Sequence, residues 1–369
     1  MNQLFRWDQM GLFLLALAAG ILPFAVPEVC AAVLREGLAL CSGPLLLSLF
    51  PFLVVSRLLI QCPESDLLAL PFRLAAWGIG IRTPCAARVL CIGFLGGFAP
   101  AASAAAQAVR TGQLTAEEAD ALLPACICSG PSFVVLTVGQ SLLGSAELGV
   151  LLFASQITAN YLTAALLNRF AGVRSVKPGS AAPASPAPPR LDEILADAAI
   201  TYCKLCGFIL FFRMLAAGAG ALLPAGAGTL CSILLEVCSG CDLASRTGRW
   251  GSLLCCAALS VQGLSVLLQV RTICPPEMTL RPLYRARMLH LPLSLALFYL
   301  LLPGGEADVF STLPARVLLM RRVPPDCALL VFAVCCMAAC TLRSGIRQVE
   351  QKQMARNAGG CCINSKTLL

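Results

Sequence analysis

A single acidic residue stands inside an apolar run, in Ile233-Leu-Leu-Glu-Val-Cys-Ser-Gly240. A carboxylate in lipid costs at least about 2.5 kcal/mol, so Glu236 needs a partner, a proton or a wet cavity. Glu236 is then a ligand for a substrate or coupling ion, a hydrogen-bond acceptor that pins a helical hairpin, or a salt-bridge partner of Arg57 or Arg213. We favour a place in a binding site, because a proton or a cation also needs such a group.

A second group with possible chemistry is Ser129-Gly130-Pro131-Ser132, inside another apolar segment. Pro131 has no amide proton and a pre-set φ, so it suits the first position of a helix, with Gly130 or Ser129 as the cap. The sequence therefore predicts a helix that restarts near mid-membrane and points its free N–H groups into the break. Such half-helix N-termini hold anionic groups in transporters. The alternative is a proline kink repaired by a neighbouring helix.

A glycine-rich segment offers a further stretch of bare backbone. Glycine lets a ligand or another helix approach the main chain closely, and a nearby serine adds a hydroxyl. The candidate binding residues here are Gly96, Gly97, Phe98, Pro100 and Ser103. The alternative is tight helix packing, because residues 101–106 form a face of small side chains.

A stripe of polar residues lies in a later apolar run. Gln262, Ser265 and Gln269 are spaced three and four apart, which predicts one shared helix face. Such a stripe either joins helices or lines a pathway. Gln156 and Asn160 form a lesser version of it. The candidate binding residues of this half of the chain are Glu236, Ser239, Gly240, Gln262, Gly263 and Gln269.

The elements that position these residues must lie in a membrane. Of 369 residues, 58% are apolar and only 12% are charged, and the mean hydropathy is +0.82. These charges are too few to cover a soluble surface, which excludes a soluble enzyme, a disordered scaffold and a nucleic-acid-binding module. The net charge of +8 is more typical of orientation in a bilayer than of anion attraction.

Enzyme signatures are absent from the sequence. No lysine follows a glycine, so there is no P-loop; His290 is the single histidine, and no serine lies in a G-x-S-x-G elbow. Most of the 21 cysteines lie in apolar runs, and the pairs Cys203/Cys206 and Cys238/Cys241 lack a partner pair at zinc-ribbon spacing. We therefore expect no catalytic site, no metal site and no cofactor.

Spanning helices need about 20 apolar residues. The predicted spans are 10–33, 41–60, 122–140, 146–169, 198–223, 251–270, 288–302 and 326–343. Two shorter stretches, 83–108 and 227–243, fit re-entrant hairpins, the second broken at Cys238-Ser239-Gly240. The Pro/Ala-rich run 171–190 predicts a linker that divides the chain nearly in half.

Positive charge places the linker and the C-terminal tail in the cytoplasm. The sequence then predicts an all-α integral membrane protein with about eight transmembrane helices and two re-entrant hairpins in an inverted repeat. This topology places Arg246 and Arg249 on the outer side, although positively charged loop residues are usually cytoplasmic. The predicted units are a first membrane half (1–170), a cytoplasmic linker (171–192), a second membrane half (193–343) and a basic cytoplasmic tail (344–369).

Several motifs, in order and spacing, resemble sporulation integral membrane proteins of the YlbJ type. They are Gly93-Phe-Leu-Gly-Gly-Phe-Ala-Pro100, Ala116-Glu-Glu-Ala119, Ser129-Gly-Pro-Ser-Phe133, Leu235-Glu-Val-Cys-Ser-Gly240 and Gln262-Gly-Leu-Ser-Val266. The resemblance covers about residues 40–270. The family carries two gate, or nucleoside-recognition, domains and is distantly similar to concentrative nucleoside transporters. This chain departs from it at Ser103, near an expected lysine, and at Arg57, where the family tends to have glutamate.

The resemblance implies a transporter of dipicolinic acid, in the outer forespore membrane of a spore-forming bacterium. A helix N-terminus and bare amides suit that small dicarboxylate. We expect the partners to be a small-molecule anion, a coupling ion (H⁺ or Na⁺) and the lipid bilayer, with no nucleic acid, and a homo-oligomer stays open. The alternatives are a carrier for a nucleoside or another small metabolite, and a non-transporting membrane scaffold in sporulation.

Overall fold

The computed structural model describes residues 2–61, 63–171 and 191–302, and every regular element in these ranges is a helix. The helices are α1 (Asn2–Ala25), α2 (Pro27–Ser42), α3 (Pro44–Gln61), α4 (Leu70–Gly78), α5 (Pro84–Gly96), α6 (Phe98–Arg110), α7 (Ala116–Cys126), a π-helix (Ser132–Leu142), α8 (Ala146–Ala171), α9 (Leu191–Leu222), α10 (Ala225–Leu235), α11 (Val237–Ser245), α12 (Gly251–Val261), α13 (Gly263–Ile273) and α14 (Arg281–Leu301). The predicted linker beyond 171, the predicted span 326–343 and the predicted tail 344–369 lie outside the described residues.

Three stretches of the described chain are long and apolar enough to cross a membrane: α8, α9 and Gly248–Ile273. At 1.5 Å per residue, the 26 residues of α8 reach about 39 Å, more than the hydrocarbon thickness of a bilayer. The predicted spans 146–169 and 198–223 are thus confirmed as long apolar helices, and these helices suggest a membrane-embedded protein.

The predicted span over 10–33 is formed by two helices rather than one. The chain bends by 109° between Phe13–Ala25 and Pro27–Ser42, and the two helices make a fourth candidate span only if the bent pair is counted as one. The bend follows from Pro27, which has no amide proton to continue the first helix and instead occupies the first position of the second.

Four of the helix breaks occur in the same order in the two halves of the chain. In the first half, α5 and α6 meet at Gly97, and α7 is separated from the π-helix by residues 127–131. In the second half, α10 and α11 meet at Glu236, and α12 and α13 meet at Gln262. In each half, the two helices that meet at the first break fold back and pack side by side, as α5 does with α6 and α10 with α11. The two helices on either side of the second break do not pack side by side in this way.

Two predicted positions need correction. The second hairpin breaks at Glu236, which is extended at φ −150°, rather than at Cys238-Ser239-Gly240, which lies inside α11. Gln262 does not share a helix face with Ser265 and Gln269, because the helix ends at Gln262 and a new one begins at Gly263. The predicted restart of a helix at Pro131 is confirmed: the chain leaves α7 after Cys126 and resumes helical conformation there.

The two halves interlock around these breaks. The second arm of the first hairpin, α6, packs against α13, and the second arm of the second hairpin, α11, packs against the π-helix. Residues 101–106 of α6 are buried small side chains that permit this close packing. Helix α14 packs against α7, α8 and α12, so it contacts both halves at the level of their broken helices.

Candidate functional site

The two breaks of the first half touch backbone to backbone. Gly97 adopts φ +80°, and a Cβ placed there would lie 2.7 Å from the amide nitrogen of Gly130 and 3.2 Å from the carbonyl oxygen of Cys128. Both the left-handed conformation and this close approach require glycine. The tip of the first hairpin is therefore seated directly against the break after α7.

The two breaks of the second half meet in the same way. Gly263 adopts φ +70°, and a Cβ there would lie 2.9 Å from the amide nitrogen of Glu236 and 2.9 Å from the carbonyl oxygen of Leu235. Each half therefore holds a hairpin tip against a broken helix with a glycine at the contact. The glycine belongs to the hairpin in the first half and to the broken helix in the second.

Glu236 acts as the N-cap of α11. Its carboxylate accepts hydrogen bonds from the amides of Cys238 (2.9 Å) and Ser239 (2.7 Å), and the side chain is buried. Glu236 is therefore a hydrogen-bond acceptor, and both donors belong to the first turn of its own helix. The salt-bridge interpretation is wrong for both arginines, because Arg57 pairs with Asp197 and Arg213 pairs with Glu36.

The capping carboxylate distinguishes the start of α11 from the other helix starts at the breaks. Glu236 already fills the positive N-terminal end of α11 with a negative charge of the protein's own. The starts of α6, the π-helix and α13 have no side-chain cap. Their first amides are therefore the backbone donors near the breaks that remain for a ligand.

Gln262 is both strained and unpaired. It adopts the left-handed conformation (φ 63°, ψ −4°), is 1% exposed, and neither atom of its amide has a hydrogen-bond partner among the described residues. Gln269 differs, since its amide nitrogen donates to the Ser265 hydroxyl at 2.8 Å. Buried polar groups are nearly always paired, so an unpaired amide in a residue with a strained backbone is an exception that needs a physical explanation.

Arg287 of α14 joins the broken helices of the two halves. One terminal nitrogen, Nη2, donates to the carbonyl of Ile127, the first residue after α7, and Nη1 donates to the carbonyl of Ser260 in the last turn of α12 at 3.4 Å. The side chain is buried, and no carboxylate in the described part of the chain pairs with it. Sequence reasoning missed this residue because it treated Arg287 as the edge of a span rather than as a charge inside one.

A chain of hydrogen bonds continues from Ser260 through the interior. The amide of Gln156 on α8 donates to the Ser260 hydroxyl at 2.9 Å, and that hydroxyl also contacts the hydroxyl of Ser294. His290 Nε2 lies 3.2 Å from the carbonyl oxygen of Gln156. Gln156, one member of the lesser stripe noted on α8, therefore joins α8 to α12 and α14 through polar contacts.

Asn160 lies at the level of Arg287. Near the end of α8, Asn168 donates a hydrogen bond to the carbonyl of Ala121. The adjacent Asp120 accepts hydrogen bonds from the amides of Thr279 and Leu280, just before α14. Because the end of α8 thus lies beside the start of α14, the two helices run in opposite directions. His290 of α14 contacts Gln156 of α8. One helical turn from this contact, toward the C-terminal end of α8 and the N-terminal end of α14, the residues are Asn160 on α8 and Arg287 on α14. Asn160 is buried, and neither atom of its amide has a partner among the described residues.

The other predicted residues lie around the same breaks. Gly96, Pro100, Ser103 and Ser129 are buried, Phe98, Gly130, Pro131 and Ser239 are half-buried, and Ser132 is exposed. Gly240 packs against the other arm of its hairpin, where a Cβ would lie 2.8 Å from the Cα of Ile233. A cavity of about 540 Å³ beside Trp250 and Tyr299 and one of about 210 Å³ beside Arg82 both lie away from the breaks.

The chain matches no family model, no curated protein and no solved structure. The chemistry of the site therefore depends on the polar groups at the breaks. They are uncapped helix starts, two unpaired amides and one buried guanidinium, with backbone carbonyls at the ends of two helices. Groups of this kind suit the binding and orientation of a small polar molecule, and the set contains no nucleophile paired with a base.

Proposed function

We propose that this protein is a membrane carrier for a small organic anion, built from about eight spans and two re-entrant hairpins in an inverted repeat. The observation that carries the proposal is the pair of broken-helix contacts, Gly97 on Gly130 and Gly263 on Glu236, one in each half. Non-helical backbone at membrane depth is tolerated where protein buries it or where it lines a cavity, and in transporters it forms the binding site between the repeats.

The anionic character of the substrate is supported by the uncapped helix starts near the breaks. Backbone amides at a helix N-terminus bind carboxylates and phosphates because their N–H groups and the helix dipole both favour negative charge. Dipicolinic acid is our first candidate, through the resemblance to the YlbJ type, and the outer forespore membrane of a spore former is the matching location. Alternating access at the breaks, coupled to H⁺ or Na⁺, is the mechanism that we propose.

A second candidate substrate is a nucleoside or another uncharged polar metabolite. It is favoured by the unpaired amides of Gln262 and Asn160, because an amide donates and accepts hydrogen bonds equally well. A scaffold without transport gives no reason for these buried amides to remain unpaired. The experiment must therefore be able to show that transport is absent.

Uptake into vesicles tests the proposal. The full chain is reconstituted into liposomes, and the entry of labelled dipicolinate and labelled uridine is compared with entry into protein-free liposomes. We expect saturable dipicolinate uptake that unlabelled dipicolinate inhibits and uridine does not. Saturable uptake of uridine alone identifies the second candidate, and equal slow leak of both labels with and without protein contradicts any carrier function.

A further inference from the structure

Arg287 is a buried cation held only by neutral acceptors. Its two hydrogen bonds end on the carbonyls of Ile127 and Ser260, at the C-terminal ends of α7 and α12. Carbonyl ends of helices carry a partial negative charge, which favours a cation there but does not neutralise a whole one. A buried charge usually has an ionic partner, and the described residues supply none to Arg287.

The guanidinium also keeps one edge free. Nη1 and Nη2 are held by the two carbonyls, whereas Nε is buried and has no hydrogen-bond partner among the described residues. In a guanidinium, the Nε–H and one Nη–H point in the same direction, and a carboxylate accepts both with its two oxygens. The two carbonyls thus fix the plane of the group while its side edge stays available.

Two unpaired amides lie on the elements that pack around this cation. Gln262 lies two residues after Ser260, whose carbonyl binds Arg287, and Asn160 lies at the level of Arg287 on α8. Both side chains are 1% exposed, and all four of their amide atoms lack a partner among the described residues. Helices α8, α12 and α14 therefore bring one free cationic edge and two free amides into the same layer of the protein.

We infer that Arg287 is the charged residue of the substrate site, and that its Nε edge binds one carboxylate of a small organic anion while Gln262 and Asn160 bind the remaining polar atoms. This inference rests on the proposed function and deepens it. The same guanidinium binds α7 of the first half and α12 of the second half. A ligand bound to it is therefore at the contact between α7 and α12, which must separate for the site to open. The competing explanation is that Arg287 only fastens α7 to α12.

Binding to variants of the full chain separates the two explanations. The probes are dipicolinate, benzoate with a single carboxylate, and uncharged pyridine, and the readout is the rise in melting temperature of the detergent-solubilised protein with probe concentration. We expect dipicolinate and benzoate, but not pyridine, to stabilise the wild type. Arg287→Gln should weaken carboxylate binding about tenfold or more, because a hydrogen-bonded charge is lost. The control is Arg285→Gln, an exposed arginine of the same helix, which should bind like the wild type.

Arg287→Lys tests the geometry of the site separately from its charge. A lysine keeps the charge but cannot hold two carbonyls and present a parallel pair of donors, so we expect binding between that of the wild type and Arg287→Gln. Gln262→Gly removes one amide at a backbone position that suits glycine, and we expect weaker dipicolinate binding with the fold intact. If Arg287→Gln fails to fold, these two variants decide the outcome.

The results distinguish this inference from the proposed function. If the wild type takes up dipicolinate into liposomes and Arg287→Lys and Gln262→Gly bind it as tightly as Arg285→Gln does, the inference is overturned and the carrier function stands. If the wild type neither binds nor takes up any carboxylate, the proposed function fails and the inference fails with it. Weakened carboxylate binding in variants whose melting temperature without probe is not lowered supports both.

Discussion

Replacing Gln262 with glycine should stabilise the folded protein, although a glycine between two helices normally destabilises it. Gln262 carries two unfavourable features at once, a left-handed backbone and a buried amide without a partner among the described residues. Glycine removes both. As a matched control, Gln140→Gly makes the same substitution at an exposed position inside the π-helix, where the backbone is not strained.

The magnitude follows from four contributions. A left-handed conformation costs an ordinary L-residue about 1–2 kcal/mol. An unpaired buried polar group costs about 1–3 kcal/mol. Against these, glycine loses the burial of two methylenes at about 0.8 kcal/mol each, and it gains freedom in the unfolded chain that costs about 0.5–1 kcal/mol. The balance is a stabilisation of about 1 kcal/mol for Gln262→Gly, against a destabilisation of about 1 kcal/mol for Gln140→Gly.

Thermal unfolding of the full chain in detergent, followed by fluorescence, measures this difference. A stabilisation of about 1 kcal/mol corresponds to a rise of about 1 °C in melting temperature for a chain of this size. Gln262→Asn is a useful companion, because asparagine tolerates the left-handed conformation and retains the amide. A fall in melting temperature for Gln262→Gly as large as that for Gln140→Gly would refute the reasoning, since it would mean that the amide is satisfied or the backbone unstrained.

Two further variants test the contacts at the breaks by the same melting experiment. Gly97→Ala should destabilise the protein by about 3 kcal/mol or more, because φ is +80° at this residue and the new Cβ meets the backbone of Gly130. The control Gly112→Ala, at φ +70° with open space around the new Cβ, should cost only about 1 kcal/mol. Similar losses of stability for the two variants would argue against the backbone contact at Gly97. Glu236→Ala removes the acceptor of two amides and should cost about 2 kcal/mol. The exposed Glu147→Ala should cost less than about 0.5 kcal/mol, and equal effects would contradict the capping role of Glu236.

Much of the helical framework could be predicted from local chemistry. The long helices α8 and α9 follow from continuous apolar runs, and the restart at Pro131 follows from a residue that cannot donate the amide hydrogen bond a helix requires. The break near Gly97 is likewise visible as adjacent glycines. The break at Gln262 was not predictable in this way, because glutamine is a good helix former and its left-handed backbone results from how Gly263 packs against Leu235.

The sequence by itself determined that this chain is helical and apolar enough for lipid, because composition sets the solvent and proline and glycine set where helices stop. It also singled out Glu236 as a charge that needs a partner. The structure shows that this partner is the adjacent start of α11, a local contact. Only the tertiary structure decided that Arg287 bridges Ile127 and Ser260. Those two acceptors are backbone carbonyls from distant parts of the chain, and a carbonyl is common to every residue, so no local pattern of side chains records which two an arginine will meet.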